Sequence, residues 1–79
     1  MTITIAQCRA GRGLVDMTQA ALAEASNVSL RTIAHFEKGQ RTPIPANLNA
    51  LRQALETAGV VFVDPNGLGP GVRLRDRET

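Results

Sequence analysis

The chain has few of the residues on which enzymes and metal sites are built. It contains one histidine and one cysteine, and it has neither tryptophan nor tyrosine. No His, Cys and carboxylate residues stand at metal-ligand spacing, and Gly11-Arg12-Gly13 is too short a pattern to count as a phosphate-binding loop. The sequence therefore predicts neither an enzyme nor a metal or cofactor site.

A single cysteine, Cys8, excludes an internal disulfide. Two roles are open to it, a redox sensor or a core residue, and its apolar neighbours favour the core. The apolar runs are far too short to cross a bilayer, and no hydrophobic signal follows a basic N-terminus. We expect a cytoplasmic protein without membrane contact, found at the bacterial nucleoid when bound to its partner.

The chain also lacks a large excess of positive or negative charge. Nine Lys and Arg residues stand against seven Asp and Glu residues, for a net charge of +2. This balance permits an acidic partner without requiring one, so the positions of the charges matter more than their sum. With 79 residues, 43% of them apolar and 3% aromatic, the chain predicts one small aliphatic core. We divide it into a helical body, residues 1–59, and a strand-forming tail, residues 60–79.

Four helices are predicted in the body from cap residues and from glycine and proline positions. The first runs from Ile5 to Val15, the second follows the N-cap Thr18 and continues through Ser26, the third runs from Leu30 to Lys38, and the fourth follows Pro45 and ends at Gly59. Asn27 suits a left-handed turn between the second and third helices. Two short helices joined so tightly must cross at a steep angle, which is the geometry of a helix-turn-helix.

The third helix has two chemically different halves when residues are placed about 100° apart. The half expected to pack holds Thr32, Ile33, Phe36 and Glu37. The other half, called the open face below, holds Leu30, Arg31, Ala34, His35 and Lys38. Since the only acid of the helix lies on the packed half, the open face combines three basic groups with two apolar ones. Such a face suits the major groove of DNA, with Lys38 directed at the backbone.

Individual roles follow from this chemistry. Arg31 is expected to pair with guanine, His35 to donate to a purine edge, and Leu30 to rest on a thymine methyl group. Ser29 and Thr32 lie at the N-terminal end of the helix, where hydroxyls and the helix dipole favour phosphate. The alternative is a plain solvated surface. The tight turn and the slim, alanine-rich helix before it favour the groove.

The stretch TQAALAEASNVSLRTIAHFEKGQRTP resembles the helix-turn-helix of the phage-repressor-like family, the Cro/CI or xenobiotic-response-element (XRE) type. The shared features are the Thr-Gln start, the Leu-Ala pair, the Asn-Val turn and the Phe-Glu-x-Gly ending. The resemblance covers about Ile5 to Leu55 and implies a mainly α, lambda-repressor-like four-helix domain. Asp16 departs from the family pattern, because a glycine is common there, and Leu30 is apolar at a position that is often polar.

Further residue roles are implied by this resemblance. Gln19 matches the first residue of the family's second helix, which bonds to phosphate and braces the recognition helix. Arg41 is similar to a phosphate-contacting position. Arg12 matches a position where some members pair an arginine with the glutamate of Phe-Glu-x-Gly, here Glu37. The positions that read bases in the family are Leu30, Arg31 and His35.

The tail differs from the body in composition. Val60 to Val63 and Val72 to Leu74 read as short strands around a loop rich in glycine and proline. It also resembles the tail of small bacterial regulators, with Gly-Val-x-Phe followed by Gly-Pro-Gly-Val-Arg-Leu. Because two short strands are not stable alone, we expect dimerisation through this element. The dimerisation residues are Val60, Val61, Phe62 and Val63, with an intramolecular hairpin folded over helix four as the alternative.

Together these features predict a homodimeric, sequence-specific regulator that binds double-stranded DNA. Its operator is expected to be an inverted repeat with half-sites about one helical turn apart. Repression by occupying promoter sequence is the simplest activity, and activation through polymerase contact stays open. An antitoxin-like or other partner-binding module is the alternative, although antitoxins usually carry an extra segment for their partner. The low net charge argues against binding without sequence choice, and no small-molecule ligand can be inferred.

Overall fold

The computed structural model describes residues 2–76, which form four helices followed by two strands. The elements are α1 (Ile5–Leu14), α2 (Gln19–Ser26), α3 (Leu30–Glu37), α4 (Pro45–Ala58), β1 (Val60–Val63) and β2 (Gly71–Leu74). A mainly helical chain with a terminal hairpin confirms the predicted fold class. Two ends differ from the predicted ones by single residues, since Val15 and Lys38 cap helices instead of belonging to them, whereas Thr18 is an N-cap as predicted.

Side-chain caps explain where the helices begin. The Thr4 hydroxyl accepts from the backbone N–H of Gln7 at 3.0 Å, and the Gln7 side-chain oxygen accepts from the N–H of Thr4 at 2.9 Å, which is a capping box. Thr18 and Ser29 each accept a backbone N–H from the first turn of their helices. Helix α4 begins at Pro45, where the missing N–H has no intrahelical partner to lose.

Two non-glycine residues in the left-handed region form the turns on either side of α2. Asn27 has φ of 61°, as predicted, and it turns the chain from α2 into α3. Asp16 has φ of 53° in the α1–α2 connection. This backbone conformation explains why a glycine is common there in the Cro/CI type, and why a short polar side chain is tolerated in its place.

One aliphatic core joins the helices to the hairpin. Its buried members are Ile3, Cys8, Leu22, Val28, Ile33, Phe36, Leu48, Leu51, Leu55, Val60 and Phe62. Cys8 has no exposed surface, so it lies in the core as its apolar neighbours predicted. Val15 packs against this core, whereas Leu14 is exposed.

The two strands pair antiparallel within the chain. Val60 lies opposite Leu74, and Phe62 lies opposite Val72. The side chains of these pairs share the face turned to the helices, where Val60 is 1% and Phe62 is 8% exposed. Within the chain the tail therefore forms the intramolecular hairpin that was weighed as the alternative, and it contributes to the same core as the helical body.

Gln7 fastens the hairpin to α1. Its side-chain nitrogen donates to the carbonyl oxygen of Gly71 at 3.1 Å and reaches that of Val63 at 3.5 Å. These carbonyls belong to the end of the hairpin next to the glycine- and proline-rich loop. A buried glutamine thus supplies the capping box of α1 with its oxygen and holds both strands with its nitrogen.

Gly13 and Gly59 form a matched pair for testing how backbone conformation affects stability. A Cβ added at either position meets no atom within 4 Å, but Gly59 has φ of +115° and Gly13 lies within α1. We expect Gly13→Ala to raise the free energy of unfolding by about 0.5–1 kcal/mol, because alanine favours the helix. Gly59→Ala should lower it by about 1–2 kcal/mol through its left-handed backbone. Urea denaturation followed by circular dichroism measures both, and a less stable Gly13→Ala protein would contradict a regular helix there.

Candidate nucleic-acid interface

A buried carboxylate, Glu37, joins the three helices around the helix-turn-helix. Arg12 donates to it twice, from Nε to Oε2 at 2.8 Å and from Nη2 to Oε1 at 2.6 Å. Gln19 Nε2 donates to Oε1 at 3.0 Å, and Cys8 Sγ donates to Oε2 at 3.2 Å. Arg12 also donates to the carbonyl of Met17 at 3.0 Å. Because the donors lie on α1 and α2, this Glu37 cluster (Cys8, Arg12, Gln19 and Glu37) fixes α3 against both helices.

Hydrogen bonds keep the Glu37 carboxyl ionised although its side chain is only 4% exposed. Burial raises the pKa of Glu37, but the hydrogen bonds from Arg12, Gln19 and Cys8 outweigh it and hold this pKa below its usual value. The bonded carboxylate raises the pKa of Arg12 in turn. Burial, with the neighbouring Glu37, raises the pKa of Cys8 to about 12, so the thiol is a neutral donor. The acid of α3 is thus compensated inside the protein.

The side chains of the open face of α3 are exposed or half-buried. Arg31 and Lys38 are exposed, Leu30 is 47% exposed, and Ala34 and His35 are half-buried. Within residues 2–76, the basic groups of this face form neither a salt bridge nor a side-chain hydrogen bond. Their charges are therefore available to an external anion.

The remaining predicted phosphate contacts lie in three places, the N-terminal end of α3, the start of α2 and the loop after α3. Ser29 Oγ accepts from the backbone N–H of Thr32 at 3.1 Å and donates to Thr32 Oγ1 at 2.8 Å, which leaves the Thr32 hydroxyl hydrogen free to donate outward. Gln19 is half-buried at the start of α2, with its amide on Glu37. Arg41 is exposed in the loop between α3 and α4. The predicted base and phosphate contacts thus lie on α2, on α3 with its caps, and in the loop that follows α3.

The structure also adds residues to which the sequence gave no role. Ile44 is an exposed apolar side chain in the same loop as Arg41. The carbonyl oxygen of Met17 accepts a hydrogen bond from Arg12. A backbone carbonyl carries no sequence signal, and an isoleucine before a helix predicts burial. Sequence reasoning therefore had no means of finding either one.

The predicted dimerisation residues divide between the two faces of the hairpin. Val60 and Phe62 face the helices and belong to the core of the single chain. Val61 and Val63 alternate with them and are half-buried on the outer face. Only this second pair has side chains available to meet another subunit.

A slim helix, a tight left-handed turn and a second helix with a basic, unpaired face define a helix-turn-helix DNA-binding domain. The Helix-turn-helix family model HTH_3 matches residues 7–60. The chain belongs to this family, the Cro/CI or XRE type of transcriptional regulator, which is a family of DNA-binding domains and not of enzymes. None of the curated proteins compared with the chain matches it.

Among residues 2–76, no helix has the length and apolarity that crossing a membrane requires. In that range, no group of three or more His, Cys, Asp or Glu side chains is placed to hold a metal ion.

The Glu37 cluster makes stability depend on pH. Because the folded-state pKa of Glu37 lies below its usual value, its stabilisation is complete above about pH 4.3 and is lost as the pH falls through the folded-state pKa. We expect the free energy of unfolding to fall more steeply with acid in the wild type than in Glu37→Gln. At neutral pH this variant should lose about 3 kcal/mol, since it breaks a buried pair.

Glu56→Gln is the matched control for this measurement. Glu56 pairs with Arg52 within α4, but its side chain is 43% exposed, so its removal should leave the acid dependence of the wild type intact. Urea titrations between pH 2.5 and 7 give the slopes. If Glu37→Gln is too unstable for urea titration, carboxyl NMR of the wild type measures the pKa of Glu37 directly. An equal slope in Glu37→Gln, or an unshifted Glu37 carboxyl resonance, would contradict the account.

Proposed function

We propose that the protein is a sequence-specific transcriptional regulator that represses by occupying promoter DNA as a homodimer. The observation that carries this proposal is the open face of α3, where three basic groups that have no salt bridge or side-chain hydrogen bond within residues 2–76 lie beside an exposed leucine. The only acid of the helix is turned inward and bonded to Arg12. A face without negative charge, directly after a tight turn, is what entry into the major groove requires.

Base reading is assigned to three residues of this face. Arg31 is the exposed guanidinium and suits the two acceptors of guanine, while His35 suits a purine edge. Leu30 offers an apolar contact for a thymine methyl group. Contacts to the DNA backbone are assigned to the residues around them, which are Gln19, Ser29, Thr32, Lys38 and Arg41. Their hydroxyl, amide and basic groups suit phosphate oxygens.

Two arginine variants separate base reading from phosphate contact. On a duplex that the wild type selects from a random pool, Arg31→Ala should lose about 1–3 kcal/mol of binding and relax the preference at one base pair. Arg41→Ala should weaken binding to every sequence alike and lower the salt slope by about one unit. Fluorescence anisotropy at several salt concentrations measures both effects.

Arg9→Ala is the control, because it removes the same charge from the exposed surface of α1. It should leave the base preference unchanged. If Arg31→Ala weakened all sequences equally, Arg31 would be a phosphate contact instead. If the effect of Arg41→Ala depended on base sequence, its assignment to phosphate would be wrong.

The homodimer is proposed to form through the hairpin. Two strands of four residues are too few for an independently stable sheet, and the helices cover one face of this one. Val61 and Val63 leave apolar surface on the other face, which a second copy of the hairpin can cover. A two-fold dimer would place two α3 helices on an inverted repeat, because both share the same symmetry.

Charge on the outer face of β1 tests this interface. The double variant Val61→Lys, Val63→Lys should sediment as a monomer at concentrations where the wild type is a dimer, and it should lose affinity for an inverted repeat more than for a half-site. The control Gln53→Lys places a charge on an exposed position of α4 and should stay dimeric. A double variant that remains dimeric would remove the hairpin as the interface, and a monomeric wild type would refute the homodimer.

A further inference from the structure

The side chain of Gln19 has hydrogen-bonding capacity that the protein itself does not use. Within residues 2–76 its amide makes one hydrogen bond, from Nε2 to Glu37 Oε1 at 3.0 Å. The amide nitrogen carries a second N–H, and the residue is half-buried at the start of α2. We propose that Glu37 is a positioning residue for DNA binding, which holds the Gln19 amide so that its second N–H donates to a phosphate. This inference rests on the proposed binding of DNA.

The orientation of the amide is decided by charge. An ionised carboxylate only accepts hydrogen bonds, so the nitrogen of Gln19 and not its oxygen must face Glu37. Both N–H groups sit on that nitrogen, and the second therefore stays available as a donor. Without the carboxylate the amide can rotate and turn its carbonyl oxygen toward the phosphate, which is repulsive. Glu37 in this way converts a neutral side chain into a fixed donor.

No other group of the cluster can serve the phosphate in place of Gln19. Arg12 uses Nε, Nη1 and Nη2 on Glu37 and Met17, inside the protein. Cys8 has no exposed surface. The Glu37 carboxylate, at the C-terminal end of α3, supplies the orientation of the Gln19 amide.

A double-mutant cycle separates positioning from a structural role. Dissociation constants are measured for the wild type, Gln19→Ala, Glu37→Gln and the double variant, each on a selected duplex and on an unrelated one. The temperature is one at which circular dichroism shows every variant folded. Gln19→Ala should bind both duplexes about tenfold more weakly, because a hydrogen bond to a charged group is lost. Glu37→Gln should weaken the wild type severalfold, since the new amide both donates and accepts and no longer fixes Gln19.

The decisive comparison is the effect of Glu37→Gln in the two backgrounds. If Glu37 acts by positioning Gln19, Glu37→Gln should change the affinity less than about twofold once Gln19 is alanine, because the effects of coupled residues are not additive. A merely structural Glu37 would give the same factor with or without Gln19, and that result would overturn the inference. The control Glu56→Gln makes the same carboxyl-to-amide change on α4, outside the Glu37 cluster, so its affinity should match the wild type.

NMR of the wild type gives a second test that needs no variant at Glu37. One of the two side-chain amide protons of Gln19 should be protected from exchange with solvent by Glu37 in the free protein. Adding duplex DNA should shift the other proton. Two amide protons that are equally unprotected, or a second proton that DNA leaves unchanged, would overturn the inference alone. A folded wild type that binds no duplex would overturn the proposed function as well.

Discussion

The ionised carboxyl group of Glu37 is the constraint on which the arrangement of the helices depends. A buried charge is tolerated only when it is paired and its remaining lone pairs are satisfied. Glu37 receives four hydrogen bonds from three side chains on α1 and α2. Meeting that requirement fixes α3 in place, and it also turns the only acid of α3 away from solvent. Stability and the character of the open face thus come from the same set of bonds.

This double role of one set of hydrogen bonds suits a chain with a low net charge and a small core. A net charge of +2 supplies weak attraction to DNA as a whole, so local arrangement has to supply most of the recognition. We propose that the basic groups of α3, together with Arg41, provide this recognition. The hairpin enlarges the core with Val60 and Phe62, and Gln7 fastens it to α1. The recognition surface therefore rests on a body in which every element shares one interior.

Local chemistry made most of the fold predictable from the sequence. Thr18, Ser29, Asn27, Pro45 and Gly59 each mark a helix end through a cap, a fixed φ or a left-handed turn, and the structure uses all of them in that way. The role of Gln7 was not predictable, because a glutamine in a helix normally reads as a surface residue. The intrachain pairing of the strands was left open for a similar reason, since strand pattern does not show which chain supplies the partner.

Contacts between residues that are far apart along the chain limited how much of the site could be predicted from the sequence. Helical periodicity placed Arg31, His35 and Lys38 on one face, but nothing in it connects Arg12 with Glu37; that pair followed only from resemblance to the Cro/CI type. The resemblance also implied that Gln19 braces the recognition helix, but it did not give Glu37 as the partner. The bond between these two residues depends on how α2 crosses α3, which is decided by packing of the whole domain rather than by any local pattern.

The central claim is that α3 reads DNA sequence, and selection from a random pool of duplexes tests it most directly. Purified protein is used at about 150 mM salt, where phosphate attraction is partly screened. The account predicts enrichment of an inverted repeat with half-sites about one helical turn apart, and its spacing would locate the two α3 helices. A folded protein that enriches no sequence would contradict the account.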